Sequence, residues 1–126
     1  MKQTTIEHTI RNLVMAADGR DTEKVAQLLA EEFRIIFHHF PVSGNTTLID
    51  KTGYLAMLAQ GKAGGEQRTL CIDHIHVSGD IASAVVTMES ATKVFHTHYQ
   101  LVKKGTDWLI ISDMPKLTVK EVQDAK

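Results

Sequence analysis

The chain has 126 residues, 43% of them hydrophobic and 23% charged, which is typical of a single globular domain. Its formal net charge is -1 with seven neutral histidines, and this argues against a nucleic-acid-binding surface, which needs clustered positive charge. A single cysteine excludes an internal disulfide, and no apolar run approaches the ~18 residues of a membrane helix.

The start of the sequence leads into an amphipathic segment and not into the apolar core of a signal peptide, so we expect a cytoplasmic protein. No linker, repeat or low-complexity segment divides the chain. We predict one domain over residues 4–117, followed by a polar tail at 118–126.

Two helices are predicted near the N-terminus. The first has one apolar stripe at helical spacing, made of Ile6, Ile10, Leu13, Val14 and Ala17. Asp18 and Gly19 end it. Asp21 is expected to cap a second helix, with an apolar face of Val25, Leu28 and Leu29.

From residue 32 to 40 the pattern changes to an alternation typical of a strand. Residues 41–45 predict a turn, and residues 46–49 a short second strand. Asp50 is expected to cap a third helix, which Gly61, Gly64 and Gly65 end.

Four long strands are predicted at 67–77, 81–91, 94–104 and 107–115, with turn residues at 78–80 and 104–107. Consecutive strands joined by short turns pair antiparallel. The order α-α-β-β-α-β-β-β-β therefore predicts an α+β domain, with helices on one face of an antiparallel sheet.

The sheet has apolar residues on both faces. The strand 81–91 places Ala82, Ala84, Val86 and Met88 on one face and Ile81 and Val85 on the other. Antiparallel sheets commonly leave one face in water. We therefore predict a homodimer formed through the sheet.

Three segments and the element order resemble the nuclear transport factor 2-like superfamily, in its branch called putative lumazine-binding or SnoaL-like. They are residues 17–32, which begin ADGRD, residues 54–65 and residues 95–111, where an aromatic strand, a glycine turn and a tryptophan strand follow in order. The resemblance covers nearly the whole chain. It implies a cone-shaped fold, with three helices packed on a strongly curved sheet around a pocket.

That superfamily includes ketosteroid isomerase, polyketide cyclases, dehydratases, ligand-binding proteins and interaction modules. By this resemblance the isomerase's general base falls at or next to Phe37, its tyrosine near Leu13 and its second pocket acid near His98. Two of the three groups are lost and the third is changed, so ketosteroid isomerisation is not expected.

Histidines are the remaining candidates for chemistry. His96 and His98 share one face of a strand, and the resemblance places them in the pocket. His98 is the candidate catalytic acid–base group, because an imidazole titrates near neutral pH. His38 is a weaker candidate, since His38 and His39 face opposite ways.

Metal binding is not predicted. His74 and His76 form a second pair, but one strand is expected between the two pairs, which separates them by roughly 10 Å. No cofactor motif is present either. Surface histidines, or polar lining of a pocket at His96 and His98, are the alternatives.

The pocket is predicted to contain His96, His98, His38, Phe37, Leu13 and Met88. Asp73 and Asp113 are further possible pocket carboxylates, although acidic residues on strands usually face water. Arg68 is a possible anchor for an anionic ligand, with a solvated side chain as the alternative.

Three functions stay open at this point. The first is a dimeric domain that binds a small organic molecule in a mostly apolar pocket. The second is an enzyme of the isomerase, cyclase or dehydratase kind that uses His98. The third is a non-enzymatic module that binds other proteins through its sheet.

Overall fold

The computed structural model describes the backbone of residues 2–120 and the side chains of residues 5–120. Its elements are α1 (Lys2–Asp18), α2 (Thr22–Leu28), β1 (Leu29–His38), β2 (Thr46–Asp50), α3 (Lys51–Ala59), β3 (Thr69–Ser78), β4 (Ile81–Glu89), β5 (Lys93–Lys104) and β6 (Asp107–Val119). The predicted fold class and element order are confirmed.

Two aspartates start helices as the sequence predicts. The Asp21 carboxylate accepts a hydrogen bond of 3.2 Å from the Lys24 backbone N–H, and Asp50 accepts one of 2.8 Å from Gly53. The second helix is shorter than expected. Leu29 belongs to β1 and not to α2. It is buried there and pairs with Ile110 of β6.

Six strands form one sheet in the order β2-β1-β6-β5-β4-β3. The last four strands form the predicted antiparallel meander. The expectation of a wholly antiparallel sheet is wrong at one pair, because β1 and β6 run parallel with Ile35 beside Asp113. The meander brings β6 back alongside β1, and this places Asp113 in the middle of the sheet.

The core lies between α1 and one face of the sheet, called here the inner face. The predicted apolar stripe of α1 is buried throughout: Ile6, Ile10, Leu13, Val14 and Ala17. On the sheet side it meets buried residues that include Val86, Leu101, Trp108 and Ile110. Thr9 also donates a hydrogen bond to the Trp108 carbonyl at 3.3 Å.

The opposite, outer face of the sheet mixes apolar and polar side chains. Val85 pairs with His98, and His98 pairs with Met114, so these side chains form a row across three strands. Ile81 and Met114 are 60% and 47% exposed. No helix of this chain packs on this face among the described residues.

The domain boundary predicted at residue 117 falls inside β6, which continues to Val119. Residues 121–126 of the predicted polar tail lie outside the described residues. Among the described helices, none is both long and apolar enough to cross a membrane.

Candidate functional site

A cavity of about 270 Å³ opens between α3, the loop 60–68 and the inner face of the sheet. Its walls are mostly apolar: Ala17, Ile35, Phe37, Phe40, Ile49, Tyr54, Met57, Ala63, Met88, Phe95, Pro115 and Leu117. Every strand except β3 contributes to it, so the curved sheet and the short α3 together shape the space.

Two polar groups at the inner end of the cavity have no hydrogen-bond partner among the described residues. They are the hydroxyl oxygen of Thr97 on β5 and Oδ1 of Asp113 on β6. Buried polar groups are nearly always hydrogen-bonded in native proteins. Unpaired groups that line a cavity therefore point to a missing partner, either water or a ligand.

The Asp113 carboxyl is strongly perturbed by its surroundings. Burial raises its pKa from 3.8 to about 7, although the nearby Arg68 guanidinium acts to lower that pKa. Asp113 as a residue is partly accessible, while its Oδ1 atom is fully buried. The carboxyl therefore carries a proton in an appreciable fraction of molecules at neutral pH.

Two tyrosines extend this electrostatic cluster. Burial raises the pKa of Tyr54 and of Tyr99, and the negative charge of Asp113 raises both further. Both hydroxyls therefore keep their protons near neutral pH. The ring of Tyr54 packs against Phe33 with centroids 5.9 Å apart, which holds α3 over the sheet.

The side of the cavity near the end of α1 is closed by an ion pair. The Arg68 Nε–H donates to Asp18 Oδ1 at 2.7 Å, and the Arg68 backbone N–H donates to Asp18 Oδ2 at 2.9 Å. Both side chains are mostly buried, at 13% and 8% exposed. The Arg68 guanidinium also lies 4.8 Å from the centre of the Phe95 ring.

The loop 60–68, which lines one side of the cavity, is held by Arg20. Its guanidinium donates to the carbonyls of Ala63 at 2.9 Å, Gly61 at 3.1 Å and Gly64 at 3.2 Å. Gly64 has a φ of +73°, and a Cβ there would overlap the Ala17 carbonyl oxygen. Close packing against the end of α1 thus requires glycine at this position.

The structure separates the predicted pocket residues into two groups. Phe37 and Met88 line the cavity. Leu13 is buried in the core below it and is not a lining residue.

The three histidines expected in the pocket are not among the residues that line this cavity. His96 and His98 are exposed on the outer face, because the alternate residues Phe95, Thr97 and Tyr99 face inward. His38 is exposed too, and its Nδ1 lies 2.7 Å from the Thr46 hydroxyl on β2.

A small polar network on the outer face includes one of these histidines. Thr87 donates to Asp73 Oδ2 at 2.7 Å, and His96 Nδ1 lies 3.4 Å from the same hydroxyl. The Cys71 thiol donates to Asp73 Oδ1 at 3.3 Å, which raises the pKa of the thiol. These bonds support Asp73 as an outer-face residue and not as a pocket carboxylate.

The two histidine pairs stand on β3 and β5, with β4 between them. Within residues 2–120, no three His, Cys, Asp or Glu side chains are grouped so that they could hold a metal ion.

A family model described as "putative lumazine-binding" matches residues 1–114 of the chain. Among solved structures, an NTF-2 like protein of unknown function from Silicibacter pomeroyi is 17% identical, with a TM-score of 0.80 over 93% of this chain and 96% of that one. One from Shewanella baltica is 13% identical, with a TM-score of 0.80 over 93% and 94% of the two chains.

A domain of unknown function with a cystatin-like fold, from Nostoc punctiforme, is 17% identical with a TM-score of 0.72, covering 92% of this chain and 78% of that one. No curated protein matches the sequence. The structural likenesses show the fold alone. Because the family model covers most of the chain, the chain belongs to the putative lumazine-binding family.

Proposed function

We propose that this chain is a homodimeric domain that binds a small, flat organic molecule in the cavity above Asp113. The observation that carries the proposal is the pair of buried, unpaired polar groups, Thr97 and Asp113, in a cavity whose walls are mostly apolar. Ligand sites commonly combine apolar walls with a few such polar anchors.

The size and shape of the cavity limit which ligands can fit. Its volume of about 270 Å³ lies near the lower end of known ligand pockets. Rings from Phe37, Phe95 and Tyr54 form much of its wall and favour a planar partner. A bicyclic aromatic molecule fits this description, and the family description makes lumazine the first one to try.

The test is a calorimetric titration with lumazine and, separately, with naphthalene as an uncharged bicyclic probe. Met57→Trp places a larger ring in the cavity wall and should abolish binding. Met15→Trp is the matched control, because Met15 is 71% exposed on α1. Failure of both probes to bind the wild-type protein, or equal binding by both variants, would refute the proposed site.

Dimerisation is proposed through the outer face of the sheet. The support is the exposed apolar surface there, which includes Ile81, Met114 and, on β2, Leu48, at 60%, 47% and 64% exposed. Light scattering at micromolar concentration should give twice the monomer mass. Met114→Lys should lower that mass and Met15→Lys should not, while a monomeric wild-type protein would contradict the proposal.

A second candidate is an enzyme in which Asp113, in place of the predicted His98, transfers a proton. A carboxyl with a pKa of about 7 inside a cavity is suited to acid–base chemistry near neutral pH. The carboxylate would take the proton from a carbon beside a ligand carbonyl. The C–H electron pair then forms an enolate. The new O–H of Asp113 exchanges its proton with the solvent and then returns a proton, or a deuteron in heavy water, to that carbon.

The corresponding test uses 1-tetralone, a bicyclic ketone, in heavy water. Proton NMR should show faster loss of its α-C–H signal with the wild-type protein than with Asp113→Asn. Equal rates for the two proteins would remove this candidate while leaving ligand binding untouched. The third hypothesis is a protein-interaction module. It would be supported by a stable complex with another protein, together with a cavity that binds none of the probes.

A further inference from the structure

We infer that the inner end of the cavity recognises an uncharged cis amide, as found in a lactam or cyclic imide ring, through Asp113 and Thr97. This inference rests on the proposed function and names the chemical class of its ligand. The two residues stand on neighbouring strands with their side chains on the cavity side of the sheet.

The Asp113 carboxyl has no hydrogen-bond partner within the described chain, and its Oδ1 atom is buried. A protonated carboxyl presents one O–H donor beside one acceptor oxygen. A cis amide presents the complementary pair, a carbonyl acceptor beside an N–H donor, so the two groups can form two parallel hydrogen bonds.

Thr97 supplies the third contact. It is 1% exposed, and its hydroxyl is the other buried atom without a partner. Thr97 pairs with Pro115 and Tyr99 pairs with Asp113, so Thr97 and Asp113 are diagonal neighbours, with backbones about 7–8 Å apart. One carbonyl oxygen between them can accept from both hydroxyl groups, because that oxygen has two lone pairs.

Charged ligand groups fit this end of the cavity poorly. A ligand carboxylate has no donor for the acceptor oxygen of the protonated Asp113 carboxyl. Above about pH 7, where Asp113 is ionised, the two like charges would also repel each other. An ammonium group would face the field of Arg68, which already acts on Asp113. Either charge would also lose its water among Ile35, Phe37 and Phe95, at a cost that a neutral amide avoids.

The affinity for a lactam should depend on pH. The groups whose charges act around Asp113 are Arg68, Asp18, Tyr54 and Tyr99, and burial of the carboxyl raises its pKa to about 7. Above that pH the carboxylate has no proton to donate to the amide carbonyl. Lactam affinity should therefore fall about tenfold for each further pH unit.

The test compares four bicyclic probes of similar size by calorimetry: isoquinolin-1(2H)-one as the lactam, naphthalene, 1-naphthoate and 1-aminoisoquinoline. At about pH 6, where the acid form prevails, the lactam should bind at least about tenfold more tightly than naphthalene. Equal binding of lactam and naphthalene would overturn the inference but leave the cavity as a ligand site. Preference for the naphthoate or the amine would also overturn it, and failure of all four would refute the proposed function itself.

Three variants separate recognition from structure. Asp113→Leu and Thr97→Val should each reduce lactam affinity while naphthalene affinity stays unchanged. Asp113→Asn keeps a donor beside an acceptor, so it should retain lactam binding and lose the pH dependence. A pH-dependent affinity that persists in Asp113→Asn would assign the effect to another group and contradict the inference.

Discussion

The stability of this protein should fall as the pH rises through neutrality, and Asp113 should be the main cause. The folded state raises the pKa of this carboxyl to about 7, against 3.8 in the absence of burial. Between these values the folded protein keeps a proton that the unfolded chain has released. The unfolded state thus binds fewer protons, and the free energy of unfolding decreases with increasing pH.

The expected magnitude follows from the two pKa values. The contribution of Asp113 to the free energy of unfolding is fully present below about pH 4. It is lost as the pH rises to about 7, a total of roughly 4 kcal/mol. Between about pH 5 and about pH 8 the loss is roughly 2–3 kcal/mol. An asparagine at the same place has no proton to lose, so Asp113→Asn should not show this decrease.

Urea unfolding of wild type and Asp113→Asn at those two pH values measures the effect. The difference between the two free energies of unfolding should change by roughly 2–3 kcal/mol in favour of the variant at the higher pH. Asp80→Asn, in an exposed turn, is the control and should follow the wild-type pH dependence. Parallel curves for wild type and Asp113→Asn would show that the carboxyl ionises normally, and would refute the account of the site.

Three further changes test the structure around the cavity. Gly64→Ala should lower the free energy of unfolding in urea by about 1–3 kcal/mol, because its Cβ would meet the Ala17 carbonyl. Gly79→Ala has open space around its Cβ and should cost less. Equal costs for the two variants would contradict the packing at Gly64. Asp18→Asn leaves a mostly buried arginine without its counter-ion and should cost about 3 kcal/mol. Glu31→Gln, at a carboxylate that is 87% exposed, should cost under about 1 kcal/mol in the same assay. Arg20→Ala should speed amide hydrogen exchange in residues 61–65 without a matching loss of global stability, and unchanged exchange there would show that the arginine does not hold the loop.

The helices could be predicted well because their signals are local. The apolar stripe of α1 follows from spacing alone, and the caps at Asp21 and Asp50 follow from residue type. The end of α2 could not be placed from the sequence. Leu29 continues the apolar pattern of that helix, and only the sheet pairing with Ile110 decides that it is a strand residue.

The face of β5 on which the histidines lie follows from the residue pattern of that strand. Phe95, Tyr99 and Leu101 alternate with His96 and His98, and this pattern alone indicates that the histidines face outward. The family resemblance implies a polar pocket group near His98, and this expectation conflicts with the period of the strand. The polar residue that faces the cavity is its neighbour, Thr97.

Asp113 illustrates what local patterns cannot show. Trp108 and Ile110 face inward at even positions, and simple alternation would turn Asp113 toward solvent. A register shift between β5 and β6 inserts Ile111 as an extra residue, so the inward face passes to odd numbers beyond it. Such a bulge depends on the pairing of two strands, and for that reason the buried carboxyl appears only in the folded structure.

Methionine methyl groups offer the most direct measurement of ligand binding in the cavity. With [methyl-¹³C]methionine labelling, proton–carbon NMR reports separately on Met57 and Met88, which line the cavity, and on Met15 and Met114, which are exposed elsewhere. Addition of isoquinolin-1(2H)-one or lumazine should shift the signals of Met57 and Met88 and leave those of Met15 and Met114 in place. Shifts confined to Met114 or Met15, or none with any bicyclic probe, would contradict the claim that this cavity is the ligand site.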